Sequence, residues 1–231
     1  MDSKKVRRCI KTDIWLILKQ NGFSHFTSTS AWRFHSDRVD VVNFQNFKSY
    51  NDGPVGCTAI SFAVNLGCYL LYIPDQAGPL REIAGKLLPD ESQCHMRRRV
   101  QPRDNRSIVQ RFFKRNVPKD VWHIAENGSN LIPTIKEIGA GLQDTGFLWF
   151  SRFADPKQVL SILTLEPESM DELWGFGANP SPRRSYYIGY AALRAGQLEL
   201  AATHLYSAIK SGCYETVEDQ LRAAVGAATS V

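Results

Sequence analysis

Amides, guanidiniums, a hydroxyl and a histidine recur in this sequence at the even, two- or four-residue spacing that puts side chains on one face of an extended strand. Asn43 and Gln45 form one such set, Ser61 and Asn65 a second, and His95, Arg97 and Arg99 a third. Alternate side chains of a strand share a face, so each set points one way. If the three strands are neighbours, one sheet face collects all seven residues. Amides beside arginines suit an anionic or peptide-like ligand, because the amides both donate and accept while guanidinium only donates, in a planar fork. The competing reading makes them solvent-facing or packing-support residues of a half-buried antiparallel sheet.

A second chemistry is carried by charge. Residues 97 to 119 hold nine lysines and arginines, Arg103, Arg106, Arg111, Lys114 and Arg115 among them, against the single acid Asp104. Phe112 and Phe113 are embedded in this segment. Cations with aromatics can contact phosphates and stack on bases, so nucleic acid is the alternative partner. No helix-turn-helix, zinc-finger or RNA-recognition signature accompanies the segment, and a solvated basic face competes with the binding reading.

Catalytic chemistry is weakly represented. Cys94, His95 and His123 lack the local spacing of a zinc site, and Cys94 with His123 makes only a scattered thiol–imidazole pair. No glycine-rich phosphate loop, GxSxG elbow or HExxH helix occurs. No catalytic residue, metal ligand or cofactor is therefore assigned. A third reading keeps an enzyme that uses His95, Arg97 and Asn65 around a small anionic substrate.

The elements that must position these residues follow from periodicity. Apolar positions from Val6 to Leu18 at helical spacing predict a helix over 4–20 that ends at Asn21-Gly22, with Phe23 folding back on it. Strands are expected over 31–34, 38–47, 58–66, 94–100 and 120–125, with Trp122 on the buried side of the last. A short helix is expected over 79–88 and others over 106–115 and from Asn130, the latter with Ile132, Ile135, Ile138 and Leu142 as its stripe. Asp155 followed by Pro156 reads as an N-cap and first helical position.

The segment up to about residue 165 resembles a bacterial family catalogued as domain of unknown function 4304. The resemblance is carried by Leu18-Lys19-Gln20-Asn21-Gly22-Phe23, Trp32-Arg33, Val41-Val42-Asn43-Phe44-Gln45 and Val64-Asn65-Leu66-Gly67, then by Cys94 to Val100 and Asp120-Val121-Trp122. It implies an antiparallel sheet flanked by helices and brings no catalytic residues. Residues 166–182, rich in proline, glycine and acids, read as a linker to a helical extension over 183–231. There, Gly189, Ala201 and Ala208 stand where a tetratricopeptide-like hairpin needs small residues, with Gly196 at its turn. One such hairpin cannot bury its own apolar face and must dock on something.

The expected architecture is thus α+β: an antiparallel sheet of about five strands with flanking helices, and a C-terminal helical hairpin. With 43% hydrophobic and 22% charged residues, the composition is that of a globular chain and argues against wholesale disorder. The net charge of +5 permits an acidic partner without requiring one. Five cysteines without a CxxC pair suit a reducing compartment. No apolar run reaches about 18 residues, so a cytoplasmic protein that does not engage a membrane is expected. The leading expectation is a non-enzymatic protein that binds another protein, an immunity-type role being one form of it.

Overall fold

A computed structural model describes residues 2–46, 58–74, 79–102, 120–165 and 177–229. The helix expected over 106–115 and most of the linker lie outside the described residues. The chain divides into two units, the first comprising 1–34, 40–66 and 98–148, the second 35–39, 67–97 and 149–231. A five-stranded antiparallel sheet is formed by β1 (His25–Phe26), β2 (Ser30–Phe34), β3 (Arg38–Asn46), β4 (Phe62–Leu70) and β7 (Met96–Val100), in the order β1-β2-β3-β4-β7. A separate two-stranded ribbon joins β5 (Arg81–Ile83) to β6 (Lys86–Leu88). The α+β class read from the sequence is the observed one.

In the first unit the opening helix runs as α1 (Ser3–Cys9), a π-helical turn over Ile10–Ile14, and α2 (Trp15–Gln20). It stops as its sequence predicts. Gly22 has a φ of +85°, its N–H donates to Lys19 O at 3.1 Å, and the Phe23 N–H donates to Leu18 O at 3.0 Å. This is a Schellman closure, with a glycine where a Cβ would be strained. Phe23 is buried beside it. Val6, Ile10, Ile14, Trp15 and Leu18 form the buried face of this helix, and Trp15 meets Phe44 of β3 at 5.3 Å between ring centroids.

A further helix, α3 (Leu131–Gly141), closes the helical layer of this unit. A Cβ on Gly139 would stand 2.8 Å from Ile17 Cδ1, and one on Gly141 would stand 3.0 Å from Val100 Cγ1. Small residues thus let α3 approach α2 and β7 closely. The stripe differs from the expected one. Leu131, Ile135, Ile138 and Leu142 are buried, whereas Ile132 is 50% exposed. Helical spacing admits either Leu131 or Ile132 as the first position, and Leu131 lies in line with Ile135 and Ile138 at i, i+4 and i+7.

Two strand expectations shift. The strand expected over 58–66 is observed as Phe62–Leu70, because the Ser61 N–H closes a turn onto Thr58 O at 2.9 Å. The segment expected as a strand over 120–125 makes one antiparallel bridge, Trp122 to Phe62. Side chains then take over its backbone: the Ile124 N–H donates to Ser61 Oγ at 3.1 Å and the Ala125 N–H to Asn130 Oδ1 at 2.8 Å. Trp122 is buried as expected, with its indole N–H donating to Val100 O at 2.9 Å. The fifth strand of the sheet is the two-residue β1, too short to leave a periodic signal.

In the second unit the helix expected over 79–88 is the β5–β6 ribbon, paired Arg81–Leu88, Glu82–Leu87 and Ile83–Lys86. Its turn residues Ala84 and Gly85 have φ values of +51° and +74°, the type I′ signature that twists with a hairpin. An alanine at positive φ is the reason the turn is hard to read from sequence. The helices of this unit are α4 (Phe147–Ser151, from Trp149 onward), α5 (Pro156–Thr164), α6 (Pro182–Arg194), α7 (Leu198–Lys210) and α8 (Glu218–Thr229). Asp155 caps α5 through the Lys157 N–H at 2.9 Å, as its position beside Pro156 predicts.

The extension leans on its own unit. Arg184, buried at the start of α6, donates from Nη1 to Leu163 O at 2.8 Å and from Nε to Gly177 O at 3.1 Å. Tyr186 stacks on Tyr214 at 4.6 Å and donates its hydroxyl proton to Pro74 O at 3.1 Å. Gly196 turns the hairpin with a φ of +75°. A Cβ on Gly189 would come within 2.6 Å of Leu205 Cγ, so α6 and α7 touch through a missing side chain.

Candidate functional site

The polar residues of the sheet in the first unit form a connected row. Val41, Asn43 and Gln45 alternate with Val42 and Phe44 along β3, and Phe44 faces Trp15 and Phe62 in the core. Asn43 and Gln45 therefore point away from that core. Asn65 of β4 stands between them and β7. Its Nδ2 donates to Gln45 Oε1 at 3.0 Å and approaches Asn43 Oδ1 at 3.4 Å, while its Oδ1 accepts from Arg99 Nε at 3.0 Å. Asn43 in turn donates to Ser30 Oγ on β2 at 2.9 Å. Arg99 is also ion-paired with Asp120.

Burial decides what each member does. Asn65 is only 1% exposed, so its amide must be satisfied inside the protein, and it is. Gln45 is exposed, and Asn43, Arg99 and Asp120 are half-buried. The buried hub thus fixes the amide and guanidinium planes of residues that reach solvent. Such a row can recognise groups that both donate and accept hydrogen bonds, such as a peptide backbone or amide side chain, with Asp120 and Arg99 adding opposite charges at one end.

The other residues proposed from the sequence have different surroundings. Ser61 precedes β4 and is buried, its hydroxyl engaged with Thr58 Oγ1 at 3.0 Å and the Ile124 N–H. His95 and Arg97 belong to the second unit. The His95 Nδ1 accepts from the Leu70 N–H at 2.9 Å, and its ring lies 4.6 Å from that of Tyr69 and 5.1 Å, edge-on, from that of Tyr187 on α6. Burial pushes its pKa down to about 3, so the imidazole is neutral at physiological pH, with its proton on Nε2. Arg97 pairs with Glu91, Nε to Oε1 at 2.7 Å and Nη2 to Oε2 at 3.3 Å. These hydrogen bonds of His95 and Arg97 hold Leu70 and Glu91 of the same unit.

Arg103, Arg106, Arg111, Lys114 and Arg115 lie outside the described residues. Among the described residues, no group of three or more His, Cys, Asp or Glu side chains could hold a metal ion. The Cys94 thiol faces Asp90 O at 3.6 Å and fills the space beside Gly67, while His123 is exposed. No helix of the described residues is long and apolar enough to cross a membrane.

Two members of the row are missed by sequence reasoning. Ser30 and Asp120 join it from outside the spacing that marks the other residues, and only the pairing of strands brings them in. Asp120 does carry a signal, since it is the acid nearest to the basic segment on its C-terminal side. An ion pair is also missed: the half-buried Arg33 contacts the fully buried Asp40 at 2.7 Å and donates from Nη1 to Asn21 O at 2.9 Å, tying β2 and β3 to the end of α2.

Comparison with known proteins places this site inside a described family. The domain of unknown function 4304 (DUF4304) matches residues 16–152, a span that holds every member of the polar row and excludes α5 to α8. No curated protein and no solved structure matches the chain. The match covers more than half of the sequence, and the chain belongs to the DUF4304 family.

Proposed function

We propose that this chain is a non-enzymatic recognition protein that binds another protein through the polar row of its sheet. The observation that supports this reading is the Asn65-centred network, a buried hub that holds the exposed Gln45 and the half-buried Asn43 and Arg99 in set orientations. Ordering these groups in the free protein removes part of the side-chain entropy cost of binding, about 0.5–1.5 kcal/mol for each immobilised side chain. A peptide-like partner matches the row, since its amides can answer both the Gln45 amide and the Arg99–Asp120 pair. We place the protein in the cytoplasm of a bacterium, where its cysteines stay reduced. The C-terminal hairpin, tetratricopeptide-like in its small residues, serves in this reading as a brace.

Neutralising a toxin, as small immunity proteins do, is one form such recognition takes. Capture from native cells with wild-type protein and a Gln45→Glu variant, which keeps an oxygen to accept from Asn65 Nδ2 but removes the outward amide donor, tests the reading. A stoichiometric protein partner is expected with wild type and lost with the variant, at an unchanged melting temperature. A partner held equally by both, or none held by either, overturns it.

A further inference from the structure

The opening helix carries a second surface in the first unit. Lys4, Arg7, Arg8, Lys11 and Lys19 recur at three-, four- and eight-residue intervals, which align them along one side of the helix. All five are exposed, and together they line a groove of about 640 Å³. Its floor and far wall are aromatic: the buried Trp15 and the half-buried Phe26, with rings 5.6 Å apart. Lys19 Nζ stands 5.5 Å from the centre of the Phe26 ring. Thr27 and the exposed Ser28 complete the lining, which includes no acidic side chain.

Charge is concentrated here. Residues 1–20 hold six lysines and arginines against two aspartates, which leaves four of the chain's five net positive charges on this helix. No ion pair neutralises Lys4, Arg7, Arg8 or Lys11 among the described residues. Like charges one turn apart cost helix stability, about 0.2–0.5 kcal/mol per pair. An anionic ligand removes that cost.

The chemistry of the lining selects the ligand. Lysine and arginine only donate hydrogen bonds, and the two hydroxyls can also donate. A polypeptide brings an N–H for each carbonyl and would find few acceptors in the groove. The phosphates of a nucleic acid are acceptors alone, one negative charge per nucleotide, and its bases add flat rings that can lie against Phe26. An unpaired base leaves a ring face free to lie against Phe26, which favours a single strand over a duplex.

We propose that this groove binds single-stranded nucleic acid, with phosphates on Lys4, Arg7, Arg8 and Lys11 and a base or sugar against Phe26. The proposal uses no residue of the sheet row and stands or falls independently of the protein-binding reading.

Fluorescence anisotropy of a fluorescein-labelled 12-nucleotide oligothymidylate with the full chain tests it. Four phosphate contacts predict a log–log salt slope of about −3, so affinity falls about fifty-fold between about 50 and 200 mM salt. Arg7→Glu/Arg8→Glu is expected to weaken binding at least about tenfold and to halve the slope, with Lys11→Glu intermediate. The control Lys136→Glu/Lys157→Glu makes the same charge change at exposed positions outside the groove and is expected to cost less than about threefold. Absence of binding at low salt overturns the proposal. So does an equal loss in both double variants, and so does displacement of the oligonucleotide by polyglutamate at the same concentration of charge.

Discussion

Arg99 and Asn65, thirty-four residues apart in the chain, meet through a 3.0 Å hydrogen bond from the guanidinium Nε to the amide oxygen. The other end of the same amide is spent on Gln45 and Asn43. A buried asparagine therefore has its donor and its acceptor committed to different strands, which ties β3, β4 and β7 together and sets the direction of Asn43, Gln45 and Arg99.

Removing that hub is expected to cost stability as well as order. Asn65→Ala loses the bonds to Gln45 and Arg99 and leaves polar groups to find water, a cost of about 2 kcal/mol. Urea unfolding with an unchanged m-value checks this, and a loss below about 0.5 kcal/mol contradicts the assignment of Asn65 as hub.

His95 makes the stability of the protein depend on pH in a definite direction. Its folded pKa is depressed to about 3 while the unfolded chain has the ordinary value near 6.5. Between these values the unfolded state binds the extra proton, so stability is fully present above about pH 6.5 and declines as pH falls towards 3. From pH 6.5 to pH 5 the decline attributable to this group is about 1.5 kcal/mol. Stability curves of wild type and His95→Asn, whose amide oxygen can replace Nδ1 as acceptor, are expected to differ in slope over that window. Parallel curves contradict the buried neutral imidazole.

The α6–α7 contact depends on the absence of a side chain. Gly189→Ala places a Cβ within 2.6 Å of Leu205 Cγ and 3.1 Å of its backbone nitrogen, and overpacking of this kind costs about 1–3 kcal/mol. Combining it with Leu205→Ala should cost less than the sum of the two single changes, because the truncation makes room. Strict additivity in thermal unfolding contradicts the close approach.

Asp40 is fully buried against Arg33, whose guanidinium also bonds the C-terminal carbonyl of Asn21. Asp40→Ala strands a largely buried cation and is expected to cost about 3 kcal/mol, read from denaturant midpoints. A cost no larger than that of an exposed pair contradicts a structural role.

Much of this was legible in the sequence because it is local. The end of α2 is written in Asn21-Gly22-Phe23, the start of α5 in Asp155-Pro156, and the outward face of β3 in the alternation around Asn43 and Gln45. The illegible parts are those decided by distant partners. Thr58 and Ser61 look like strand residues until their hydroxyls engage Ile124, 66 and 63 residues onward. Ala84 gives no sign of its positive φ. His95 and Arg97 share the spacing of Arg99, yet Leu70, Tyr187 and Glu91 are what determine their roles. Spacing shows which side chains share a face of one strand. It does not show which of them the rest of the chain will cover or pair.

Placing the photo-cross-linker p-benzoylphenylalanine at the exposed Gln101, two residues beyond Arg99 and outside the polar row, in cells that express the protein naturally, tests whether a protein partner binds at the surface around Asn65. One discrete adduct with another protein is expected at Gln101, absent when the same probe stands at the exposed Lys157. No adduct at Gln101, or the same adducts at both positions, would overturn the proposed binding surface.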